Sequence, residues 1–401
     1  MNRINQLAAI SEDVNGITRR FGTPPFIAGR DKVFHWMTAA GLQTRIDNIG
    51  NVRGKWLAAD KNSKTLVIAS HIDTVVNAGK FDGPLGVLMG LDLLEHIITS
   101  KTTLPFNIEL VAFCDEEGVR FHTTYLGSKV LAGTFDKEIL TCKDESGITL
   151  EAVIQQLHGN SQQLEQDAIA ASDWLGYFEI HIEQGPVLYE KDIPVGLVTG
   201  IAGQSRMEIV FEGMAGHAGT VPMHMRNDAL CCAAEFILEL EKFALANKET
   251  LVATVGKLNI INAAGNVIPG EVVCSLDVRS ADQILLDASC TTIKTMCEQI
   301  AAKRHVAITW KPVQQTAPVA CSDHFNTLLA RAITTTGYET ISLVSGAGHD
   351  AVPISAVAPV AMLFVRCFKG ISHNPLENVE LKDMAAAIKV SDNFIQQLAN
   401  G

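Results

Sequence analysis

Residues 65–114 read TLVIASHIDTVVNAGKFDGPLGVLMGLDLLEHIITSKTTLPFNIELVAFC. The stretch contains two short apolar runs, residues 65–70 and 107–114, of the length expected for buried strands. Between them, residues 85–98 repeat their apolar side chains at helical spacing. Strand, helix and strand in this order predict a crossover unit of a parallel sheet, and therefore an α/β fold.

Side chains able to bind metals follow the predicted strands. A third strand is predicted at residues 177–182, and a glycine-rich loop at 370–375. The candidate residues in or next to these segments are His71, Asp73, Asp82, Asp115, Glu116, Glu117, His181 and His373. Because open α/β sheets bind ligands at the carboxyl ends of their strands, we expect these side chains to meet at one edge.

Imidazoles and carboxylates together form a donor set that suits Zn²⁺, Mn²⁺ or Co²⁺ rather than a soft thiolate site. Each position taken alone is also typical of ordinary structure. A histidine at a strand end is commonly hydrogen-bonded, Asp82-Gly83 is a common turn, and an Asp-Glu-Glu run is usually solvated. The residues alone therefore leave both interpretations open.

The pattern changes from about residue 203. Strands are predicted at 206–211, 251–258, 272–278 and 305–310, and helices at 228–246 and 281–303. This β-α-β-β-α-β order is typical of a ferredoxin-like domain. After residue 318 a helix near 324–336, a strand at 361–365 and a helix from Leu381 resume the α/β style. We therefore predict a discontinuous catalytic α/β domain, residues 1–202 and 315–401, with an inserted α+β domain at 203–314.

Composition narrows the class of protein. The chain has 401 residues, a length at which two domains are expected. Its net charge of −12 argues against a nucleic-acid or anionic-membrane surface. The first residues lack the apolar core of a signal peptide, and the nine cysteines form no CxxC pair. We expect a cytoplasmic enzyme with free thiols.

Eight strings between residues 70 and 377 carry a family resemblance. They are SHIDTVVNAGKFDGPLG, DEEGVRF with YLGS behind it, EIHIEQGPVL, GHAGTVPM-x-x-R-x-D, GNVIPG, LDVR, SGAGHDA and GISHNP-x-E. In this order they resemble the amidase/hydantoinase/carbamoylase branch of the M20-type metallopeptidase-like hydrolases. The resemblance implies a two-metal site in the catalytic domain and a lid and dimerisation role for the inserted domain.

The resemblance also assigns roles to the candidate residues. It implies that His71, Asp82 and His181 hold one divalent ion, and that Asp82, Glu117 and His373 hold the second. Mn²⁺ or Zn²⁺ is expected, with Co²⁺ or Ni²⁺ possible. Glu116 would be the general base, and Asp73 would orient His71.

For the substrate, the resemblance implies a small anionic ureido compound. The expected contacts are Gln184, His217, Asn266, Arg279, Gly346 and Ala347. It further implies a homodimer in which His217 reaches the partner's active site. Several strings are most similar to the members of this branch that hydrolyse allantoate, with N-carbamoyl-L-amino acids or β-ureidopropionate as alternative substrates.

The segment Ser345–Asp350 (SGAGHD) offers a different mechanism, with serine as the nucleophile. It lacks the GxSxG pattern of a nucleophile elbow, and hydrolysis by an activated water requires no serine. We interpret it as a glycine-rich loop that lines the pocket, and the roles of His349 and Asp350 stay open.

Overall fold

A computed structural model describes residues 1–400. The chain forms two compact units, and we describe each by itself. The first unit comprises Met1–Thr199 and continues from Cys321, whereas the second comprises Gly200–Ala320.

Eleven helices and sixteen strands are labelled in chain order. The helices are α1 Asn2–Ala8, α2 Pro24–Ala39, α3 Pro84–Thr99, α4 Leu126–Ala132, α5 Leu150–Gln156, α6 Val187–Glu190, α7 Ala229–Ala246, α8 Gln283–Arg304, α9 Asp323–Thr335, α10 Ala351–Ile354 and α11 Leu381–Asn400. The strands are β1 Gln43–Ile46, β2 Val52–Trp56, β3 Thr65–His71, β4 Asn107–Phe113, β5 Trp174–Ile182, β6 Val195–Ile201, β7 Gly203–Glu212, β8 Gly216–His217, β9 Val252–Thr254, β10 Leu258–Ile260, β11 Val267–Ile268, β12 Glu271–Ser280, β13 Ala307–Thr316, β14 Val319–Ala320, β15 Ser342–Ser345 and β16 Val360–Val365.

The main sheet has nine strands in the order β1-β2-β4-β3-β5-β16-β6-β14, with β15 paired to β6. Its four central strands, β4, β3, β5 and β16, run parallel. The strands that flank them are antiparallel. The predicted strands at 65–70, 107–114 and 177–182 and the helix at 85–98 are confirmed, each to within a few residues.

The central strands are buried on both faces, as parallel strands covered by helices usually are. Every residue of β3 and β4 is buried. Two glycines let α3 approach the sheet. A Cβ on Gly86 would lie 2.0 Å from the carbonyl oxygen of Ile180, and a Cβ on Gly90 would lie 2.6 Å from Cδ1 of Leu110. The fold therefore places α3 directly over β3 and β5, the strands that carry His71 and His181 near their carboxyl ends.

The second unit contains a five-stranded antiparallel sheet with the order β10-β12-β7-β13, in which β9 also pairs with β12. Helices α7 and α8 pack on this sheet. The strand order, with β12 between β7 and the β9–β10 segment, is that of a split β-α-β unit.

The single strand predicted at residues 251–258 is wrong, because the structure divides it into β9 and β10. Thr254 pairs with Asp277 and Leu258 pairs with Cys274, so the three residues between them on one side oppose two on the other. The extra residue forms a bulge at residues 255–257, where the Lys257 amide donates to Ser275 Oγ at 3.0 Å.

All nine cysteines are free, and six of them are buried, which confirms the prediction of free thiols. Among residues 1–400, no helix has both the length and the apolar character needed to cross a membrane.

The close approach of α3 to β5 gives a test of the packing. Gly86→Ala forces a methyl group against a main-chain carbonyl, which cannot turn away, so we expect a loss of roughly 1–3 kcal/mol of stability. Gly90→Ala is the control in the same helix. Its methyl group meets side-chain atoms that can rotate, and alanine favours helix by about 1 kcal/mol, so its effect should stay small. Urea unfolding of both variants would compare them, and equal midpoints would contradict the packing described here.

Candidate active site

The candidate metal ligands of the first unit lie at the carboxyl ends of the central strands. His71 is the last residue of β3, and His181 is the last but one of β5. The other ligand residues are in loops. Glu117 follows β4, Asp82 precedes α3, and His373 follows β16. The parallel sheet therefore brings residues from five segments together, at the edge that the sequence predicted.

Asp82 stands at the centre of the group. Its Oδ1 atom lies 3.7 Å from His71 Nε2 and 3.2 Å from His181 Nε2. Its Oδ2 atom lies 3.1 Å from His373 Nε2, which is 3.4 Å from Glu117 Oε1. The two oxygens of one carboxylate thus face two separate sets of donor atoms.

These sets are compact enough to hold metal ions. His71, Asp82 and His181 place donor atoms within 4.8 Å of one another, and so do Asp82, Glu117 and His373. Glu116 belongs to a further group of this size with His71 and Glu117. The structure therefore brings together all five residues that the resemblance assigned as ligands, together with Glu116.

Main-chain carbonyls determine which nitrogen of each buried histidine faces the centre. His71 Nδ1 lies 3.1 Å from the carbonyl oxygen of Asp73, and His181 Nδ1 lies 3.0 Å from that of Ile182. A carbonyl oxygen can only accept, so Nδ1 carries the proton in both rings. In the neutral ring the lone pair is then on Nε2, the atom that points to Asp82 in both residues.

Asp73 connects two of the segments. Its carboxylate lies 3.5 Å from His71 Nδ1, farther than its own main-chain carbonyl. The same carboxylate accepts hydrogen bonds from the amides of Glu116 at 3.0 Å and Glu117 at 3.1 Å. Asp73 therefore fixes the turn after β4 as well as contacting His71.

Glu377 holds the Asp82 loop and was absent from our sequence-based site. Its Oε1 atom accepts from the amides of Phe81 at 2.6 Å and Asp82 at 3.1 Å. Ser372 Oγ lies 2.8 Å from Asp82 Oδ2 and 3.1 Å from Glu377 Oε2. The GISHNP-x-E string contained this glutamate, but its role depends on a partner almost 300 positions away in the chain.

Gln184 lies beside Asp82. Its Nε2 atom donates to Asp82 Oδ2 at 2.9 Å. Both Gln184 and His373 have positive φ angles, 57° and 53°. Residues other than glycine rarely adopt this conformation, and such strain concentrates at functional sites.

The charges of the site fit a bound cation. Burial opposes ionisation of Asp82, yet hydrogen bonds from His181, His373 and His71 hold the pKa of its carboxyl well below the usual range. Burial raises the pKa of Glu116 well above its usual value, and Glu117, Asp350 and Asp73 add to this while His71 opposes it. Hydrogen bonds to Asp82 and Glu117 raise the pKa of His373 to about 10.

Carboxylates crowd the same buried region. Asp115 and Asp350 each leave one side-chain oxygen without a hydrogen bond, although both residues are at most 1% exposed. Burial raises the pKa of both groups well above the usual value. Divalent cations relieve such repulsion, and the nitrogen and oxygen donors present are those that Zn²⁺ and Mn²⁺ bind. The residues therefore fit a metal site.

A second buried cluster lies beside His181. The His349 ring packs edge-on against that of His181 with centroids 4.5 Å apart, and its Nδ1 lies 4.0 Å from Glu179 Oε1. Glu179 sits two residues before His181 in β5, hence on the same face of the strand. That spacing, together with its place at the start of the EIHIEQGPVL string, was the sequence indication of Glu179.

Ser345, His349 and Glu179 superficially resemble a nucleophilic triad, since Ser345 Oγ lies 2.7 Å from His349 Nε2. All three residues are at most 1% exposed, and the 4.0 Å contact of the other ring nitrogen is too long for a hydrogen bond. Ser345 Oγ also lies 2.9 Å from the carbonyl oxygen of Ala347, where it donates. The structure therefore gives no support to serine as the nucleophile.

Gly346 and Ala347 lie in the exposed-to-intermediate part of the loop between β15 and α10. The Ala347 amide donates to Ser345 Oγ at 3.2 Å. Its N–H group is therefore already engaged, which weakens the expectation that it binds a substrate carboxylate.

The remaining predicted substrate residues belong to the second unit. His217 and Asn266 are both exposed and lie together, because β8 pairs with β11 and the Ala218 amide donates to the Asn266 carbonyl at 2.9 Å. Arg279, on β12, forms a two-pronged contact with Asp277 at 3.0 and 2.9 Å. A substrate carboxylate would have to share this guanidinium with Asp277.

Comparison with known proteins agrees with this site. The peptidase family M20/M25/M40 matches residues 67–397. A probable allantoate deiminase from Oryza sativa subsp. japonica is 37% identical over 99% of this chain and 87% of its own length. An N-carbamoyl-L-amino acid amidohydrolase from Geobacillus stearothermophilus is 37% identical over 100% of this chain and 98% of its own.

A solved structure shows the same architecture. The amidase of the hydantoinase/carbamoylase family from Burkholderia multivorans superposes with a TM-score of 0.93 at 31% identity, covering 100% of this chain and 97% of that one. The match extends over most of the sequence and the whole fold. The chain therefore belongs to peptidase family M20/M25/M40, and it is an amidohydrolase that acts on C–N bonds.

Proposed function

We propose that the first unit holds two divalent metal ions, Mn²⁺ or Zn²⁺, and hydrolyses a ureido C–N bond. The observation that carries this proposal is the position of Asp82, whose two oxygens face two separate donor sets. His71 and His181 would complete one metal site, and Glu117 and His373 the other. Ions bound there would polarise the ureido carbonyl and lower the pKa of the attacking water.

Glu116 is the proposed general base. Its carboxyl is buried beside His71 and Glu117, and its amide is fixed by Asp73. Glu116 takes a proton from the attacking water and delivers it to the leaving nitrogen. Asp73 is a proposed positioning residue, since its carboxylate contacts His71 and accepts a hydrogen bond from the Glu116 amide.

His217 is the proposed donor to the developing oxyanion. The Gly219 amide donates to His217 Nδ1 at 3.0 Å, so the neutral ring carries its proton on Nε2. That proton suits a hydrogen bond to the substrate oxygen. Following the family resemblance, we propose a homodimer in which His217 of one protomer acts in the active site of its partner, with Asn266 and Arg279 anchoring the substrate carboxylate.

Allantoate is the substrate that we propose, with ureidoglycine, ammonia and CO₂ as products. The allantoate deiminase relative supports this, as does the family resemblance of the sequence strings. The N-carbamoyl-L-amino acid amidohydrolase relative has the same sequence identity to this chain, so an N-carbamoyl-L-amino acid is the second candidate substrate. The same metal chemistry would serve either substrate.

Metal removal tests the mechanism. We expect activity to disappear when the enzyme is dialysed against EDTA and to return with Mn²⁺ or Zn²⁺, because the ligands themselves remain folded into the sheet edge. A serine-directed sulfonyl fluoride should have no effect on the reconstituted enzyme. Activity that survives chelation and is lost to the sulfonyl fluoride would assign the reaction to Ser345 instead.

Substitutions of two adjacent glutamates would distinguish a role in catalysis from a role in metal binding. Glu116→Gln should lower kcat by about 10²–10⁴-fold with an unchanged metal content, since it removes the proton acceptor. Glu117→Gln should weaken metal binding by at least about tenfold. Glu151→Gln, whose carboxylate accepts from Ser161 Oγ at 2.8 Å, is the control for the substitution itself. Steady-state kinetics with metal analysis would distinguish them, and loss of metal from the Glu116 variant would show that the roles are misassigned.

A substrate panel tests the specificity. Ammonia release from allantoate should exceed that from N-carbamoyl-L-amino acids by at least about a hundredfold in kcat/KM, or about 2.7 kcal/mol of transition-state discrimination. A preference for a carbamoyl amino acid would leave the site chemistry unchanged and replace allantoate as the substrate.

A further inference from the structure

Arg19 is a buried cation close to the metal site. The residue as a whole is only 1% exposed. Nε donates to the carbonyl oxygen of Ile72 at 2.6 Å, and Nη1 donates to those of Leu7 at 3.0 Å and Ile10 at 3.1 Å. These acceptors are main-chain carbonyls, which do not neutralise the guanidinium. A charge buried in this way is costly, so packing alone is a poor reason for it.

The main chain around Arg19 is also attached to the loop after β3. We call residues 16–20 the N-terminal strap. The Arg19 amide donates to Thr74 Oγ1 at 2.9 Å, and the Thr74 amide donates to the Arg19 carbonyl at 3.2 Å. Farther along, the Ala78 amide donates to the Ile17 carbonyl at 2.7 Å. The strap therefore follows residues 72–78 on the side where they leave the sheet.

Arg19 contacts the loop after β3 directly beside a proposed metal ligand. Ile72, whose carbonyl it binds, lies between the ligand His71 and Asp73. Burial lowers the pKa of the Arg19 guanidinium to about 10, and the Asp73 carboxylate opposes this decrease. Asp73 in turn accepts from the amides of Glu116 and Glu117. One buried cation is thus linked to the segments that carry a metal ligand, the base and a second ligand.

The surrounding helix leaves room for the arginine stem. A Cβ on Gly29 of α2 would lie 2.9 Å from Arg19 Cδ. The guanidinium also ties the carboxyl end of α1 to the loop, through Leu7 and Ile10. The site of Arg19 is therefore shaped by α1, α2 and the strap together.

We propose that Arg19 is a positioning residue of the metal site, which fixes the His71–Asp73 segment through the Ile72 carbonyl. The inference rests on the proposed two-metal function. It assigns a role in metal binding to the N-terminal strap, which supplies no ligand. Removal of the guanidinium should therefore weaken metal binding more than it weakens the fold.

Arg19→Met, Arg19→Lys and the control Arg30→Met test this. Arg30 is also nearly buried, with a side chain 7% exposed, but it pairs with Asp31 on its own helix α2 at 2.8 Å. Free Mn²⁺, followed by its EPR signal, would give the affinity of each full-length protein, and urea unfolding would give the stability. The absorption spectrum of Co²⁺-loaded protein would report the ligand geometry.

We expect Arg19→Met to weaken Mn²⁺ binding by at least about tenfold and to change the Co²⁺ spectrum. The Mn²⁺ affinity of Arg30→Met should stay within about twofold of that of the parent protein, even where its loss of stability is comparable to that of Arg19→Met. Arg19→Lys keeps the charge without the planar guanidinium. Its Mn²⁺ affinity should lie between those of the two methionine variants.

Unchanged Mn²⁺ affinity in Arg19→Met, or equal weakening in Arg30→Met, would overturn the inference. Should Arg19→Met not fold, Arg19→Lys decides, since weakened Mn²⁺ binding with a parental unfolding midpoint supports the role and unchanged binding refutes it. Failure of the parent protein to bind either Mn²⁺ or Zn²⁺ would instead refute the proposed function, and the inference with it.

Discussion

The accumulation of carboxylates at one buried sheet edge is the constraint on which the rest of the site depends. Asp73, Asp82, Asp115 and Glu116 are each at most 8% exposed, and they come from loops that converge because their strands are parallel. Anions buried so close together repel one another and resist ionisation. This repulsion is offset by hydrogen bonds from backbone amides, by contacts with three histidines and, in our proposal, by divalent cations.

This constraint explains why hydrogen bonds to the main chain recur around every proposed ligand. His71 and His181 donate to carbonyls, which directs both Nε2 atoms to Asp82. Asp73 and Glu377 accept from amides of neighbouring loops. Metal sites depend on such supporting contacts for the orientation and basicity of their ligands. The loops are therefore fixed in part by hydrogen bonds within the protein itself.

The sequence predicts those parts of this arrangement that depend on local pattern. The strands ending near His71 and Phe113 and the helix between them follow from continuous apolar runs and helical spacing. The bulge at residues 255–257 does not, because it is set by the register against β12 rather than by its own residues. Arg19, Glu179 and Glu377 escaped notice for a related reason. Their importance lies in partners that the fold brings from other segments. Arg19 lies in none of the quoted strings, and the strings that contain Glu179 and Glu377 do not reveal those partners.

The charge distribution of the second unit bears on the kind of substrate. Arg206 and Arg279 both pair with the single carboxylate of Asp277, and Gln204 donates to it as well. Two guanidiniums that share one carboxylate retain positive potential, and guanidinium groups bind a second carboxylate in a favourable planar geometry. A neutral ureido compound would gain nothing from this potential, whereas a carboxylate would. If Arg279 anchors the substrate as we propose, the arrangement favours an anionic substrate. The substrate carboxylate must then compete with Asp277 for the guanidinium, which selects substrates by shape as well as by charge.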